Sequence, residues 1–259
     1  MATQQSKSEE FRKLHIAGNP LVIYNIWDPG SAKAAIAAGV KAIATSSWAV
    51  AEANGFSDGE QTPIGLAIEN LRRIVSSTDL PVTVDLESGY GATPGDVSET
   101  IGLAINAGAI GCNLEDSFPS DGTLREIVDQ TARIASARHA ADKQGLAFFI
   151  NARTDVFINT PSSEHSIAML TEALKRAEAY KKAGADGLFV PGLMDLTLIS
   201  KLTEASTLPI NILIGGSGPS ISSLAEIGVA RVSYGGTPYA ELMGTFEDSV
   251  RSTVSKASA

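Results

Sequence analysis

Residues 81–116 read PVTVDLESGYGATPGDVSETIGLAINAGAIGCNLED, and this stretch decides the fold. An apolar run at 81–87 is followed by an amphipathic segment at 95–107 and by a second apolar run at 111–116. Thr93-Pro94 ahead of Asp96 has the chemistry of a helix start, and Ala107-Gly108 that of a helix end. Strands that are apolar throughout and alternate with helices indicate a parallel sheet covered on its faces. The stretch therefore predicts a strand–helix–strand unit of an α/β protein.

The same alternation continues on both sides of this unit and gives eight strands. The predicted strands are 21–26, 41–47, 81–87, 111–116, 147–155, 187–192, 209–215 and 231–236. The predicted helices are 30–39, 64–77, 95–107, 123–144, 164–183, 194–206, 219–227 and 238–256. Eight such units in about 250 residues match the count and length of a (β/α)8 barrel. An open doubly wound sheet is the alternative, but it usually has fewer strands and a glycine fingerprint after the first, which this chain lacks.

We therefore predict one (β/α)8 barrel domain over residues 1–259. Residues 1–20 form an N-terminal extension, in which a helix at 8–16 is expected to cover the bottom of the barrel. The segment 238–256 is predicted as the C-terminal helix. Composition shows no linker and no low-complexity tract that would divide the chain.

Composition also limits the class of partner. The 259 residues are 44% hydrophobic and 19% charged, which is typical of a globular protein. The formal net charge of −9 repels phosphate backbones and anionic lipid, so neither nucleic acid nor a membrane is an expected partner. One cysteine fits a reducing compartment, and the start MATQQSKSEEF has no apolar signal region. A cytoplasmic location is therefore expected.

Acidic residues end two neighbouring predicted strands, where the active site of a (β/α)8 barrel lies. Asp85 and Glu87 share a parity along strand 3, so both can point to the barrel axis, and Glu115 shares a parity with Asn113 on strand 4. Carboxylates that converge need a cation, and oxygen ligands without a nearby histidine favour Mg²⁺ or Mn²⁺ over zinc. We predict a metal site formed by Asp85, Glu87 and Glu115. The alternative is that these acids cap the next helices or bind water.

Arg153 is the predicted basic counterpart of these acids. On strand 5 it shares one face with Asn151 and Asp155. Its planar guanidinium can hold a carboxylate through two parallel hydrogen bonds, which suits a carboxylate substrate. The alternative is an ion pair with Asp155 or Glu115.

Two kinds of turn offer sites for anionic oxygens. Ser46, Ser47 and Trp48 lie at a strand-to-loop turn whose backbone N–H groups suit a second anionic oxygen of a substrate, although a turn with a packing tryptophan fits the pattern equally well. The glycine-rich segments 215–218 and 235–237 follow strands 7 and 8 and resemble the phosphate-binding turns of barrels. Tight glycine turns explain these two segments about as well.

Other catalytic groups are missing from the strand ends. The three histidines, His15, His139 and His165, fall on helical or terminal stretches, and Cys112 has the parity that faces the helices. No lysine lies at the C-terminal end of a strand, so a Schiff-base mechanism has no evident nucleophile. A G-x-S-x-G motif for acyl transfer does not occur.

Five short motifs occur in an order typical of one family. They are TSSWAVA at 45–51, GFSD at 55–58, VDLESGYG at 84–91, NLEDS at 113–117 and NARTD at 151–155. Their combination resembles the isocitrate lyase/phosphoenolpyruvate mutase superfamily, and with the strands around them the resemblance covers most of residues 20–237.

This resemblance implies a barrel that binds Mg²⁺ (or Mn²⁺) and a small 2-oxo or 2-hydroxy carboxylate, and that makes or breaks a C–C or P–C bond through an enolate. It implies Asp85 as the direct metal ligand, with Glu87, Glu115 and Asp58 acting directly or through waters. Members of the family also exchange their last helix between subunits, which here predicts a homodimer or homotetramer. The expected site residues are Asp85, Glu87 and Glu115 for the metal, Arg153, Ser46 and Asp58 for catalysis, and Ser46, Ser47, Trp48 and Arg153 for the substrate.

Two loops of this chain differ from the family pattern, and the differences reduce the number of reactions that fit. The lyase branch carries a Lys-Arg/Lys-Cys-Gly-His motif after strand 4, where this chain has only SFPSDG at 117–122. The phosphonate branch carries a lysine and an asparagine in the same loop and a histidine after strand 6, where this chain has VPG at 190–192. Decarboxylation of oxaloacetate needs neither set and is the leading hypothesis. The alternatives are phosphonopyruvate hydrolase- or mutase-like P–C chemistry, and a 2-oxo-acid binding protein without turnover.

Overall fold

The computed structural model describes residues 2–216 and 218–257, and its eight parallel strands form one sheet in the order β1-β8-β7-β6-β5-β4-β3-β2. A parallel bridge between Ile26 and Thr45 joins the remaining edge, from β1 to β2. The sheet therefore forms the predicted (β/α)8 barrel. The strands are β1 (Leu21–Ile23), β2 (Ile43–Ala44), β3 (Val82–Asp85), β4 (Gly111–Glu115), β5 (Phe149–Arg153), β6 (Gly187–Val190), β7 (Ile210–Leu213) and β8 (Arg231–Ser233).

Helices lie between the strands, and their ends follow from local chemistry. At the start of the helix after β3, Thr93 Oγ1 accepts the N–H of Asp96, the Asp96 carboxylate accepts the N–H of Thr93, and Pro94 takes the first helical position. Gly184, with φ of 107°, ends the helix before β6. The helices are α1 (Gln4–Lys13), α2 (Pro29–Ala37), α3 (Ser47–Ala53), α4 (Ile64–Val75), α5 (Pro94–Asn106), α6 (Ile127–Lys143), α7 (Ile167–Ala183), α8 (Leu196–Ala205), α9 (Ile221–Glu226) and α10 (Thr237–Ala257).

Some predicted bounds are wrong. Strand β3 ends at Asp85 instead of 87, so Glu87 lies in the following loop with a φ of 51° and the parity argument does not apply to it. Strand 2 was expected to reach residue 47 and the Ser46–Trp48 segment to be a turn, but the Ser46 hydroxyl caps the unpredicted helix α3. Helix α6 begins at Ile127 rather than at 123, because residues 117–124 form a tight hairpin in which Ser117 pairs with Leu124. Helix α7 begins after a separate 3₁₀ turn, Ser162–Glu164, and α1 begins at Gln4 because Thr3 caps it.

The strands have an apolar outer face and a largely polar upper interior. Val84, Cys112 and Ile150 point outward into the core that packs against the helices, as the parity predicts. The interior is apolar at its lower end, where Phe11 of α1 packs with Ile23 and Phe149. Above them lie polar inward side chains, which sets the carboxyl ends of the strands apart as a polar site.

None of the helices in the described part of the chain is long and apolar enough to cross a membrane. Ser217, in the predicted glycine-rich turn at 215–218, lies outside the described residues.

Candidate active site

Five carboxylates interact electrostatically at the carboxyl ends of β2 to β5, and we call them the acidic cluster. Asp85 is the last residue of β3 and Glu115 the last residue of β4, while Arg153 ends β5 directly beside Glu115 in the register. The parallel strands bring these residues to one edge, as the alternation predicts. The members of the acidic cluster are Asp58, Asp85, Glu87, Glu115 and Asp155.

Asp85 is held in place by Thr45, which follows β2, and by Ser47, the first residue of α3. Its Oδ2 accepts hydrogen bonds from the hydroxyl of Ser47 at 2.9 Å and from the Ser47 N–H at 3.2 Å. Its own N–H donates to Thr45 Oγ1 at 2.9 Å, and Asn113 Nδ2 lies 3.5 Å from its Oδ1. The carboxylate therefore has a fixed orientation and keeps oxygen lone pairs free for a ligand.

Glu87 is held by a strained group of residues that joins two loops. Its carboxylate accepts hydrogen bonds from the N–H of Glu60, in the loop after α3, and from the hydroxyl of Tyr90 at 3.1 Å. The Glu60 carboxylate in turn accepts from the Ser88 hydroxyl at 2.7 Å and the Tyr90 N–H at 2.8 Å. Glu60, Glu87 and Tyr90 are the non-glycine residues with positive φ in the described ranges. Such strain persists where surrounding contacts enforce it, often at functional sites.

Arg153 forms ion pairs with both Asp155 and Glu115, the two partners that were predicted as the alternative to binding a substrate. Its Nε and Nη2 donate to the two oxygens of Asp155 at 2.6 and 3.0 Å, and its Nη1 lies 2.7 Å from Glu115 Oε2. A guanidinium has five N–H groups, so these three contacts leave two for a further anion. Ion pairing and substrate binding are therefore compatible at this residue.

Burial and mutual repulsion raise the pKa values of several acids in the cluster. Burial, reinforced by Asp58, raises the pKa of Glu87 to about 7. The pKa of Glu115 rises to about 8, mainly through burial and against the attraction of Arg153. Burial and the Asp85 charge also raise the pKa of the Asp58 carboxyl. The site therefore favours either bound protons or a bound cation.

The donor chemistry of the acidic cluster fits Mg²⁺. Within residues 2–216 and 218–257, no three histidine, cysteine, aspartate or glutamate side chains come close enough to chelate a metal by themselves. Mg²⁺ does not require such a cage, because it usually keeps several waters and binds through one or two carboxylates and the substrate. An oriented Asp85 surrounded by other carboxylates is such an arrangement.

The Ser46–Trp48 segment forms the first turn of α3 instead of an open loop. Ser46 Oγ accepts the N–H of Ala49 at 3.3 Å, and Ser47 is committed to Asp85. The Trp48 ring is half-buried and packs edge-on against Tyr239, 5.9 Å between ring centroids, so its side chain contacts the start of α10. Asp58 lies in the following loop. Much of the residue is exposed, but its carboxyl group is partly buried against Asp85 and Ser47 and interacts with both.

A short hairpin after β4 borders the site. Ser117 Oγ lies 2.7 Å from Asp155 Oδ2 and 3.1 Å from Glu115 Oε1. The Arg125 guanidinium lies 4.0 Å above the Phe118 ring, and the Phe118 N–H donates to the Thr123 carbonyl. The hairpin is therefore ordered, and it carries hydroxyl, carboxyl and aromatic groups but no thiol or amine.

Sequence reasoning missed the residues that support the site from behind. Asp116 is fully buried and accepts hydrogen bonds from the Asp155 N–H at 2.9 Å, the Tyr180 hydroxyl at 2.7 Å and Arg176 Nη1 at 3.0 Å. These contacts fix the backbone that carries Asp155. Arg176 and Tyr180 are four apart on the buried face of α7, and an arginine on an apolar helix face was the available signal.

Comparison with known proteins gives the family. Among curated proteins, the 2-methylisocitrate lyase of Escherichia coli (strain K12) is 30% identical over 222 residues, which cover 83% of this chain and 72% of that protein. The oxaloacetate decarboxylase of Bradyrhizobium sp. (strain BTAi1 / ATCC BAA-1182) is 30% identical over 168 residues, which cover 63% of this chain and 54% of that protein.

Two solved structures have the same fold as this chain. One from Burkholderia cenocepacia J2315, provisionally named a phosphonomutase, is 54% identical with a TM-score of 0.95 and covers 97% of this chain and 100% of that chain. A phosphonopyruvate hydrolase in complex with oxalate and Mg²⁺ is 23% identical with a TM-score of 0.83, covers 98% of this chain and 88% of that one, and shares the fold. The model of the phosphoenolpyruvate phosphomutase family matches residues 11–254, and the chain therefore belongs to the phosphoenolpyruvate mutase/isocitrate lyase family.

Proposed function

We propose that this protein is a Mg²⁺-dependent lyase that acts on a small 2-oxo carboxylate through an enolate, and that its reaction is the decarboxylation of oxaloacetate. The observation that carries the proposal is the acidic cluster around Arg153, bordered by a hairpin without thiol or amine. Relatives of the chain include an oxaloacetate decarboxylase and a 2-methylisocitrate lyase, and both names fit a carboxylate substrate.

In this proposal Asp85 is the direct metal ligand, and Glu87, Glu115 and Asp58 act directly or through waters. Bound there, Mg²⁺ or Mn²⁺ would supply a Lewis acid that polarises the 2-oxo group and stabilises the enolate charge. The pKa values near 7 and 8 for Glu87 and Glu115 support a cation at this position, because buried carboxylates that also repel one another resist joint ionisation.

The remaining groups bind and orient the substrate. The two N–H groups that Arg153 keeps free are proposed to hold the substrate carboxylate or its enolate oxygen. Ser46, Ser47 and Trp48 place the first turn of α3 beside Asp85. The N–H groups of Ser46, Ser47 and Ala49 already donate within the protein, so the Trp48 N–H is the one proposed to hold another carboxylate oxygen. Preorganised donors of this kind favour a transition state in which negative charge accumulates on those oxygens.

Decarboxylation of oxaloacetate requires no functional group that the 117–124 hairpin lacks. Breaking the C3–C4 bond of oxaloacetate releases CO₂ and leaves the enolate of pyruvate, which then takes up one proton. Water can supply that proton, so neither the thiol nor the amines of the longer family loop are needed. A hairpin with only hydroxyls and Asp121 is therefore sufficient for this reaction.

P–C bond chemistry on phosphonopyruvate is the second candidate. The observation that favours it is the 54% identity to the Burkholderia structure that is provisionally named a phosphonomutase. Against it, the 117–122 loop offers no lysine or asparagine for a phosphoryl group. A site that binds 2-oxo acids without turnover is the third outcome that the experiment below must separate.

We also propose that the protein acts in the cytoplasm as a homodimer or homotetramer. Helix α10 exposes apolar side chains at Leu242, Phe246 and Val250, with 54%, 61% and 45% of their surface accessible. An apolar face of this kind is typical of a subunit interface. Sedimentation velocity tests the oligomeric state, and a monomer at micromolar concentration would contradict the proposed dimer or tetramer.

A substrate panel tests the reaction. Purified protein with Mg²⁺ is given oxaloacetate, phosphonopyruvate or 2-methylisocitrate, and pyruvate and phosphate are followed by coupled assays. We expect pyruvate from oxaloacetate above the rate of the metal alone, and loss of that excess on chelation. Phosphate from phosphonopyruvate would establish the second candidate instead. No turnover together with an oxalate-induced rise in melting temperature would show a binding site without this chemistry.

A further inference from the structure

Arg231 is a buried charge at the closed end of the barrel, opposite the acidic cluster. It is the first residue of β8, points into the barrel and is 1% exposed. Its Nε lies 3.2 Å from Ser233 Oγ. In the described part of the chain, neither Nη1 nor Nη2 has a hydrogen-bond partner. Four N–H groups of one guanidinium are therefore directed into the interior without an acceptor.

Among the residues that the structure describes, none around Arg231 is hydrogen-bonded to its two Nη groups, and the nearby His15 Nε2 is also buried without a partner. Phe11 of α1 is fully buried, and its ring centroid lies 6.0 Å from the Arg231 Cζ. His15 packs edge-on against Phe11 and stacks on Phe149 at 4.2 Å, so α1 and the residues after it close this end. The Asn211 oxygen, on the neighbouring strand, already accepts from Asn151 and Ser233.

The charge of Arg231 also lacks a close counter-ion. No ion pair of Arg231 is found over the described ranges, and the carboxylate whose charge acts on it is that of Asp85, which is bound by Ser47. The positive charge of Arg231 also acts on His15. The pKa of His15 is lowered to about 3, mainly by burial and also by the charge of Arg231. Burying an unpaired charge is strongly unfavourable, so a structure that retains one needs an anion or several acceptors there.

We propose that the closed end of the barrel binds a monoatomic anion of the size of chloride, held by Nη1 and Nη2 of Arg231 beneath the lid formed by Phe11 and His15. Arg231, Phe11 and Phe149 are each at most 1% exposed, so any anion must enter past α1, which favours a small ion over a large one. Water offers acceptors but no charge, and it is the competing occupant. This site is separate from the acidic cluster, and the proposal does not depend on the proposed function.

Thermal unfolding of the intact protein tests whether a halide binds at Arg231. The melting temperature is measured in sodium chloride, sodium bromide and sodium gluconate at equal ionic strength. We expect it to be higher in chloride and bromide than in gluconate by about 3 °C, because a halide that binds only the folded state stabilises it by mass action. Arg231→Met should lose the difference. Arg73→Met, which removes the same charge from the exposed surface, should keep it.

A crystal of the unaltered protein grown in bromide provides a second measurement that does not require a variant to fold. We expect an anomalous peak within hydrogen-bond distance of Arg231 Nη1 and Nη2. Equal melting temperatures in halide and gluconate, a halide effect that persists in a folded Arg231→Met protein, or density at the guanidinium that is water without anomalous signal would each overturn the proposal.

Discussion

At the scale of single residues, strand parity predicts the orientation of side chains within the strands but not beyond the strand ends. Glu87 and Asp155 follow β3 and β5, and loop contacts place them. Asp85, Glu115 and Arg153 lie where alternation along β3, β4 and β5 puts them, and Cys112 faces the helices as predicted. The hydrogen bonds that orient Asp85 could not be predicted, because they depend on how α3 begins beside β3. A two-residue strand followed at once by a capped helix has no periodicity from which to infer it.

Ser47→Ala tests whether the orientation of Asp85 matters for the metal. The substitution removes the 2.9 Å hydroxyl contact and leaves the backbone N–H contact in place. Loss of a hydrogen bond to a metal ligand typically lowers metal affinity about 10- to 100-fold. We expect a fall of that size in the Mg²⁺ affinity measured by calorimetry. Ser57→Ala, an exposed serine in the next loop, is the matched control, and equal affinities in both variants would contradict the account.

At the scale of elements, the eight strands and most helices follow from apolar runs and capping residues, whereas the loops do not. Residues 117–122 are predicted only as a loop and residues 123–126 as the start of α6, because the polar residues from 123 onward continue into a helical pattern. Only packing, with Arg125 over Phe118 and Ser117 against Asp155, makes residues 117–124 a hairpin. The contacts of Glu60 were missed for the same reason, since a lone acid in a loop carries no local signal.

Glu60→Ala tests the connection between the loop after α3 and the loop after β3. The variant loses the carboxylate that accepts from Ser88 and Tyr90, while alanine at a φ of 60° has a backbone strain similar to that of glutamate. We expect faster amide hydrogen exchange over residues 54–63 and a turnover lower by about tenfold, because the loop whose Glu60 N–H holds Glu87 is less firmly attached to Ser88 and Tyr90.

Glu60→Gln is the control, because its amide oxygen can still accept both hydrogen bonds. It should retain slow exchange over the same residues. Unchanged exchange in Glu60→Ala would show that the side chain does not hold the loops together.

At the scale of the whole molecule, a site of clustered acids makes stability depend on pH and on cation. Between pH 5 and 8, Glu87 and Glu115 bind more protons in the folded protein than in the unfolded chain, because their folded-state pKa values are about 7 and 8 against an ordinary 4.5. Stability contributed by these two groups is therefore present at low pH and is lost as the pH rises. A cation that replaces the protons should reverse this loss.

Melting temperatures at pH 5.5 and pH 8, with and without Mg²⁺ at equal ionic strength, measure this coupling. We expect Mg²⁺ to raise the melting temperature by about 3 °C or more at pH 8 and by much less at pH 5.5, where protons compete for the same carboxylates. The same shift at both pH values would mean that the ion binds away from Glu87 and Glu115.

The central claim is that a metal held by Asp85 drives cleavage of a 2-oxo acid. Its most direct test is the rate of pyruvate formation from oxaloacetate during a Mg²⁺ titration, for the unaltered protein and for Asp85→Ala, with the rate due to free metal subtracted. Asp79→Ala, an exposed acid just before the other end of β3, is the matched control. We predict metal-dependent turnover in the unaltered protein and in Asp79→Ala, and none in a folded Asp85→Ala. Metal-dependent turnover that persists in Asp85→Ala would contradict the account.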